Sequence, residues 1–237
     1  MALADVKALT FDVFGTVVDL RGSIIREGKA ISESKGLNIN WEDLFDRWRP
    51  AYGKRVEQVS SGELPWANLD VLHLEALEEV LAELGITEFT EHDKHVLNMG
   101  WHRLTPWPDS IPGLTRLRKL YILATLSNGH FALLTNMAKH SDIPWDCILA
   151  PDILGNHYKP EPEVYHGAAR LLDLNIGEVM MVAAHKPDLK AAHDQGMMTA
   201  FVPKPLEYGP GVEIDTTGEP WLDFMATDLE DMASQLE

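Results

Sequence analysis

The stretch Leu9–Asp19, "LTFDVFGTVVD", decides the fold. It continues an apolar run that begins at Val6 and sets one carboxylate, Asp12, between that run and a glycine turn at Gly15. A strand buried on both faces reads as a continuous apolar run, and a charge at its end needs a reason. Four similar runs follow "VKALTFDVF" (6–14): "LYILATLSN" (120–128), "CILAPD" (147–152), "VMMVAAH" (179–185) and "TAFVP" (199–203). Amphipathic stretches lie between them, "GLTRLRKL", "HFALLTNMAKH", "EPEVYHGAARLLDL" and "DLKAAHDQG". Strands alternating with helices predict an α/β, doubly wound, mostly parallel, Rossmann-like sheet. About a hundred residues separate the first two strands, too many for one crossover. Residues 20–98 show helical periodicity alone, as in "WEDLFDRWRPAYGKRVEQV" and "LDVLHLEALEEVLAELG". They read as a helical cap inserted into a core of residues 1–19 and 99–237. "PKPLEYGPGVEIDTTGEP" (203–220) reads as a surface loop before a last helix.

Composition narrows the function. With 37 acidic against 20 basic residues the net charge is −17, which disfavours nucleic-acid and anionic-membrane partners. No apolar run approaches the ~18–20 residues of a membrane span. "MALADVKAL" lacks the basic start and cleavage site of a signal peptide, and Cys147 is the single cysteine, so a reducing cytoplasm is expected. Any small anionic substrate must be held by local cations. Polar residues gather at strand ends: Asp12 after the first, Ser127 and Asn128 after the second, Lys159 after the third, His185 and Asp188 after the fourth. Ligands of open parallel sheets bind outside the carboxyl ends of the strands.

Four segments in order, "FDVFGT", "TLSNG", "YKPEPEVY" and "VAAHKPDLKAA", resemble the four motifs of the haloacid dehalogenase superfamily, and the insertion resembles its cap. Within the superfamily the likeness is to the 2-haloacid dehalogenases. The phosphatases carry a D-x-D motif whose second aspartate protonates the leaving group, and here that place is Phe14. They hold Mg²⁺ with acids in the fourth motif, where this chain has Ala183 and Ala184. Asp12 and Asp188 alone are a poor cage for a hard cation. The resemblance implies metal-free hydrolysis of small (S)-2-haloalkanoic acids to 2-hydroxy acids, with no cofactor and, by likeness alone, a homodimer.

The same resemblance assigns roles. Asp12 is the nucleophile that forms an ester, kept ionised by Lys159 and aimed by Thr16 and the backbone around Gly15. Asp188 activates the hydrolytic water. Ser127 fixes the substrate carboxylate, while Asn128 and Arg49 receive the halide. Tyr165 braces the lysine. Departures from the usual pattern are Ala183 for serine, His185 for asparagine, Pro187 for a halide-pocket tryptophan and Phe14 for tyrosine. His185 therefore enters as a donor in place of the asparagine or as a second base candidate.

Taken singly, each residue has an ordinary reading. Asp12 suits a turn, Lys159 a solvated loop, Ser127–Gly129 a helix cap, Arg49 a solvated helix face and His185 a structural site. Trp66, Trp101, Trp107 and Trp145 read as packing. Two other functions stay open: a Mg²⁺-dependent phosphatase of the same superfamily, and a non-catalytic relative that binds a metabolite or partner.

Overall fold

In a computed structural model, which describes residues 3–237, the first apolar run becomes strand β1 (Ala8–Phe11), buried at every residue. After the Gly15 turn the chain forms a two-residue strand, β2 (Val18–Asp19), and enters four helices. These are α1 (Leu20–Lys35), α2 (Trp41–Ser60), α3 (Leu69–Glu83) and α4 (Glu91–Asn98). Each begins where a side-chain oxygen accepts an otherwise orphaned backbone N–H: Asp19 from Gly22, Asn40 from Asp43, Asn68 from Val71 and Thr90 from Asp93. A 3₁₀ turn, Met99–Arg103, leads into β3 (Thr105–Pro106). β3 pairs antiparallel with β2, Val18 opposite Pro106, so the chain leaves and re-enters through one narrow stem.

The remainder alternates, through α5 (Ser110–Leu117), β4 (Ile122–Thr125), α6 (Phe131–Ser141), α7 (Pro162–Leu171), β5 (Val179–Ala183), α8 (Lys186–Asp194), β6 (Met198–Phe201), β7 (Phe224–Met225) and α9 (Leu229–Leu236). The main sheet runs β4–β1–β5–β6–β7 with every neighbouring pair parallel. Its pleat divides the core in two. Leu9, Phe11, Met180 and Val182 face one apolar cluster, while Ala8, Val179, Met181 and Ala183 face the other. The α/β, doubly wound architecture expected from the sequence is the one found.

Two local expectations fail. Residues 147–152 form no strand; only Cys147 bridges Ala124. Backbone bonds join the segments as far as Cys147, whose carbonyl accepts from Thr125 N–H, but beyond it a side chain takes over: Thr125 Oγ1 donates to the Leu149 carbonyl and accepts from its N–H. The 203–220 segment is also more than a surface loop, since Lys204 and Glu207 are both buried. Lys204 pairs with Asp109, and Asp109 also accepts the Leu229 N–H at the start of α9.

Trp101, fully buried, joins the four-helix segment to the first motif. It stacks on His73 of α3 at 3.9 Å and meets Trp48 and Tyr52 of α2, each at 5.3 Å. On its other side Phe14 approaches edge-on at 6.1 Å. Such aromatic pairs add about 0.5–1.5 kcal/mol each beyond buried area. Trp145 packs at 5.3 Å from Phe11, Trp66 at 4.9 Å from Tyr158, and Trp107 donates its indole N–H to the Gly15 carbonyl.

Helices α5 and α9 touch through Gly113, where a Cβ would lie 2.5 Å from the Leu229 carbonyl carbon and oxygen. Gly113→Ala gains up to ~1 kcal/mol of helix propensity but drives a methyl into backbone that cannot rotate away. A net loss of about 1–3 kcal/mol is expected. In urea the midpoint should fall with the slope unchanged.

Candidate active site

Asp12 leaves β1 with its N–H donating to the Val182 carbonyl, so the sheet continues to grip the backbone one residue past the strand. Its carboxylate is buried and meets three side chains. Lys159 donates to Oδ1 at 2.9 Å. Thr16 donates to Oδ2 at 3.1 Å, and His185 Nδ1 lies 2.8 Å from the same oxygen. The Thr16 hydroxyl in turn accepts from Ala184 N–H at 2.9 Å, which fixes its donor direction. The expectation that backbone amides around Gly15 aim the carboxylate is not met. Gly15 N–H donates to the Val18 carbonyl, closing the turn. Side chains do the aiming.

Lys159 also pairs with Asp188, whose other oxygen accepts from the Tyr165 hydroxyl at 2.8 Å. Tyr165 thus braces the lysine only through Asp188. It is fully buried and does not line the cavity, so a direct substrate contact is excluded for it in this arrangement. Asn128 Oδ1 accepts the Lys159 backbone N–H at 2.8 Å, a positioning bond that leaves its own N–H donors free of that contact. Ser127 is buried at 2% exposure, lines the cavity, and its hydroxyl has no hydrogen-bond partner among the described residues. A buried hydroxyl without a partner is costly, and a ligand supplies one.

On the opposite wall, His185 Nε2 lies 2.8 Å from Glu207 Oε1, and Arg49 donates to the same oxygen at 2.6 Å. The Arg49 guanidinium lies 4.8 Å above the Tyr208 ring. Glu207 is only 2% exposed and packs against Gly15, where a Cβ would stand 2.5 Å from its carboxylate. Gly15 has φ of 82°, a left-handed conformation that also favours glycine. Asp12, Lys159, Asp188, Ser127, Asn128, His185 and Arg49 line a cavity of about 420 Å³, to which the helical segment adds Tyr52, Val56, Glu57 and Leu69 and the core adds Phe14 and Pro187.

Burial and charge set the ionisation. Burial alone would raise Asp12, but the Lys159 charge and the His185 hydrogen bond hold it well below the usual carboxylate range. Burial, aided by the Asp12 charge and opposed by Lys159, raises Asp188. Burial opposes the charged form of His185, yet its bonds to Asp12 and Glu207 push it up to about 10. The Tyr52 hydroxyl is pushed up to about 12 by burial. The site therefore sets Lys159, Arg49 and protonated His185 among Asp12, Asp188 and Glu207, with a further acid, Glu57, lining the cavity.

The profile of the haloacid dehalogenase-like hydrolase family matches residues 6–196, most of the chain. The chain belongs to the haloacid dehalogenase-like hydrolases. This haloacid dehalogenase-like hydrolase is 27% identical over 212 residues to (S)-2-haloacid dehalogenase 1 of Pseudomonas sp. (strain CBS-3), covering 86% of this chain and 88% of that one. It also superposes on a solved L-2-haloacid dehalogenase with TM-score 0.93 and 45% identity, covering 98% of both chains. A solved defluorinating L-2-haloacid dehalogenase gives TM-score 0.94 and 43% identity over 98% of this chain and 95% of that one.

Of the residues singled out in the sequence, Asp12, Phe14, Arg49, Ser127, Asn128, Lys159, His185 and Asp188 line one cavity, with Thr16 and Tyr165 directly behind it. Sequence reasoning missed Tyr52 and Glu207. Tyr52 had a signal, because it lies three residues after Arg49 and so shares its helix face. Glu207 had none, being one acid in a Pro- and Gly-rich segment.

Two measurements check the Glu207–His185 pair. Glu207→Gln removes one of the two anions holding His185 protonated, so the ring should titrate below about 10 by NMR. The second is stability. A raised folded pKa stabilises fully below the unfolded value of 6.5 and progressively less as pH climbs to about 10. The unfolding free-energy difference between wild type and His185→Gln should therefore shrink between pH 6.5 and 10; a difference independent of pH would contradict the assignment.

Proposed function

We propose that this chain hydrolyses the carbon–halogen bond of small (S)-2-haloalkanoic acids through an ester on Asp12, without a metal ion. One observation carries the reading: an ionised carboxylate held by Lys159 in a cavity where position 14 is phenylalanine. Halide is a weak base and leaves with hydrogen bonds alone, so the missing acid is no defect. The residues do not suit Mg²⁺, because the Lys159 ammonium lies between Asp12 and Asp188, and Ala183 and Ala184 add no side-chain oxygen. The names of the similar proteins, (S)- and L-2-haloacid dehalogenases, support the same substrate class.

In this reading residues 20–98 serve as a cap, contributing Arg49, Tyr52 and Leu69 to a cavity whose nucleophile sits on the core. The substrate carboxylate takes the unpartnered Ser127 hydroxyl. Asp12 Oδ1 attacks C2, and the carbon–halogen electron pair departs with the halide toward Asn128 and the remaining N–H donors of Arg49. The ester carbonyl is then Oδ2, already faced by Thr16 and His185. Asp188, with its raised pKa, takes a proton from water as the water oxygen adds to Asp12 Cγ. Charge develops on Oδ2, where Thr16 and the His185 imidazolium donate. Collapse breaks the bond between Cγ and Oδ1, which leaves on C2 as the hydroxyl oxygen of the 2-hydroxy acid and takes the proton held by Asp188, while the second water proton is lost to solvent as the Asp12 carboxylate is restored. His185 thus acts as a donor and Asp188 as the base.

Asp12→Asn should lower halide release by about 10⁴-fold or more without unfolding the protein. Substantial turnover by the folded variant, its amide verified by mass spectrometry, would sink the covalent route. Asp188→Asn should accumulate an adduct on the Asp12 peptide; trapping by His185→Ala and not by Asp188→Asn would move the base to His185.

Reaction class is tested with chloro-, bromo- and fluoroacetate and both 2-chloropropionate enantiomers. Halide release should be unchanged by EDTA and not raised by Mg²⁺, with p-nitrophenyl phosphate hydrolysis at background. Metal-dependent phosphate release at roughly 1 s⁻¹ or above, with no halide from any compound, would favour the phosphatase.

A further inference from the structure

Behind the cavity wall, three side chains from distant parts of the chain converge. Asp70 lies in the first turn of α3, His102 in the 3₁₀ turn and His130 at the cap of α6. One donor atom from each lies within 4.8 Å of the others. His102 Nε2 stands 2.9 and 3.1 Å from the two Asp70 oxygens, and His130 Nε2 stands 3.5 Å from Asp70 Oδ2. Both imidazoles are buried.

A hydrogen bond between His102 and Asp70 is by itself an ordinary interhelical lock. It does not account for His130. That ring is 5% exposed, its Nδ1 has no hydrogen-bond partner among the described residues, and its Nε2 is at the outer limit of bonding to Asp70. Zinc bonds of about 2.0–2.1 Å put neighbouring tetrahedral ligands ~3.3–3.4 Å apart. The separations found here bracket that value. A ligating imidazole commonly has its second nitrogen held by a polar neighbour. His102 Nδ1 has one, 2.9 Å from the Asn136 amide nitrogen. With that amide turned end for end, its oxygen accepts from Nδ1–H and leaves the Nε2 lone pair facing Asp70.

The geometry points to a divalent transition-metal site, zinc in the first instance, formed by Asp70, His102 and His130 and completed by water at the exposed edge of Asp70. Two imidazoles and a carboxylate are a borderline donor set suited to zinc, with one position open. None of the three residues lines the cavity around Asp12, and the site takes no part in the proposed reaction. It ties α3 to the start of α6, and thereby Leu69 on one cavity wall to Asn128 on another, so its effect is to brace the wall and stabilise the fold.

The full chain, stripped with EDTA and dialysed, is titrated with zinc chloride by calorimetry and with cobalt chloride by visible absorption. One equivalent of zinc should bind at micromolar affinity or tighter, and cobalt should give the intense visible bands of a four-coordinate site. Zinc at 100 times Kd should raise the thermal midpoint by about 5 °C or more. Asp70→Asn and His130→Gln should each weaken binding by about tenfold or more and abolish the cobalt bands. His157→Gln, which breaks a second His/Glu cluster at His157, Glu161 and Glu163, should change neither. Uptake that survives His130→Gln, or that is lost with His157→Gln, overturns the site. If either variant fails to fold, the wild-type cobalt spectrum decides, and absence of four-coordinate bands overturns it too.

Discussion

One ammonium group holds the site together. Lys159 lies between Asp12 and Asp188, two buried carboxylates that would otherwise repel and take up protons. Its own burial disfavours charge, and only the two acids keep it protonated. None of the three is tolerable without the others, since removing one partner of a buried pair leaves an uncompensated charge. The surroundings follow from this constraint: Asn128 pins the lysine backbone, Tyr165 pins Asp188, and Thr16 with His185 pins Asp12.

The second ionic group is built differently. Glu207 comes from a segment after the last long strand and is shared by His185 and Arg49, one from the core and one from α2. It pairs with two cations in a chain of net charge −17, where cations are scarce. A small anion entering here meets Lys159, Arg49 and His185 instead of the acidic exterior, at donors already oriented by the protein.

The fold was legible because strand and helix periods are local properties. Five apolar runs located the sheet, and four became strands where expected; the 147–152 run stops pairing after Cys147 because the Thr125 side chain satisfies the Leu149 backbone that a ladder would have used. The site was legible as far as residues sit at strand ends. Asp12 and Ser127 do, Asp188 lies in the first turn of the helix after β5, and the topology brings them together whatever their distance in sequence; Lys159 follows the run that forms no strand and is placed by the Asn128 side chain holding its N–H. Glu207 and the Asp70–His102–His130 cluster obey no such rule. They meet through the packing of a loop or of helices across the stem, and their partners are separated by 22 to 158 residues without a periodic signal.

The strand order has a consequence for how the chain is made. β1, near the N-terminus, occupies an interior position between β4 and β5, so Ala8 pairs with Ile122 on one side and Val179 on the other. At ribosomal speeds of roughly 5–20 residues per second, on the order of ten seconds or more separate the synthesis of β1 from that of β5. During that interval one edge of an apolar strand has no native partner, and Asp12 has no Lys159. The first helices to emerge, α1–α4, are built on local contacts and can form while the sheet waits. A nascent chain of this kind carries an apolar strand without its β5 neighbour for that whole interval, so slower translation lengthens the time for which that edge stays open.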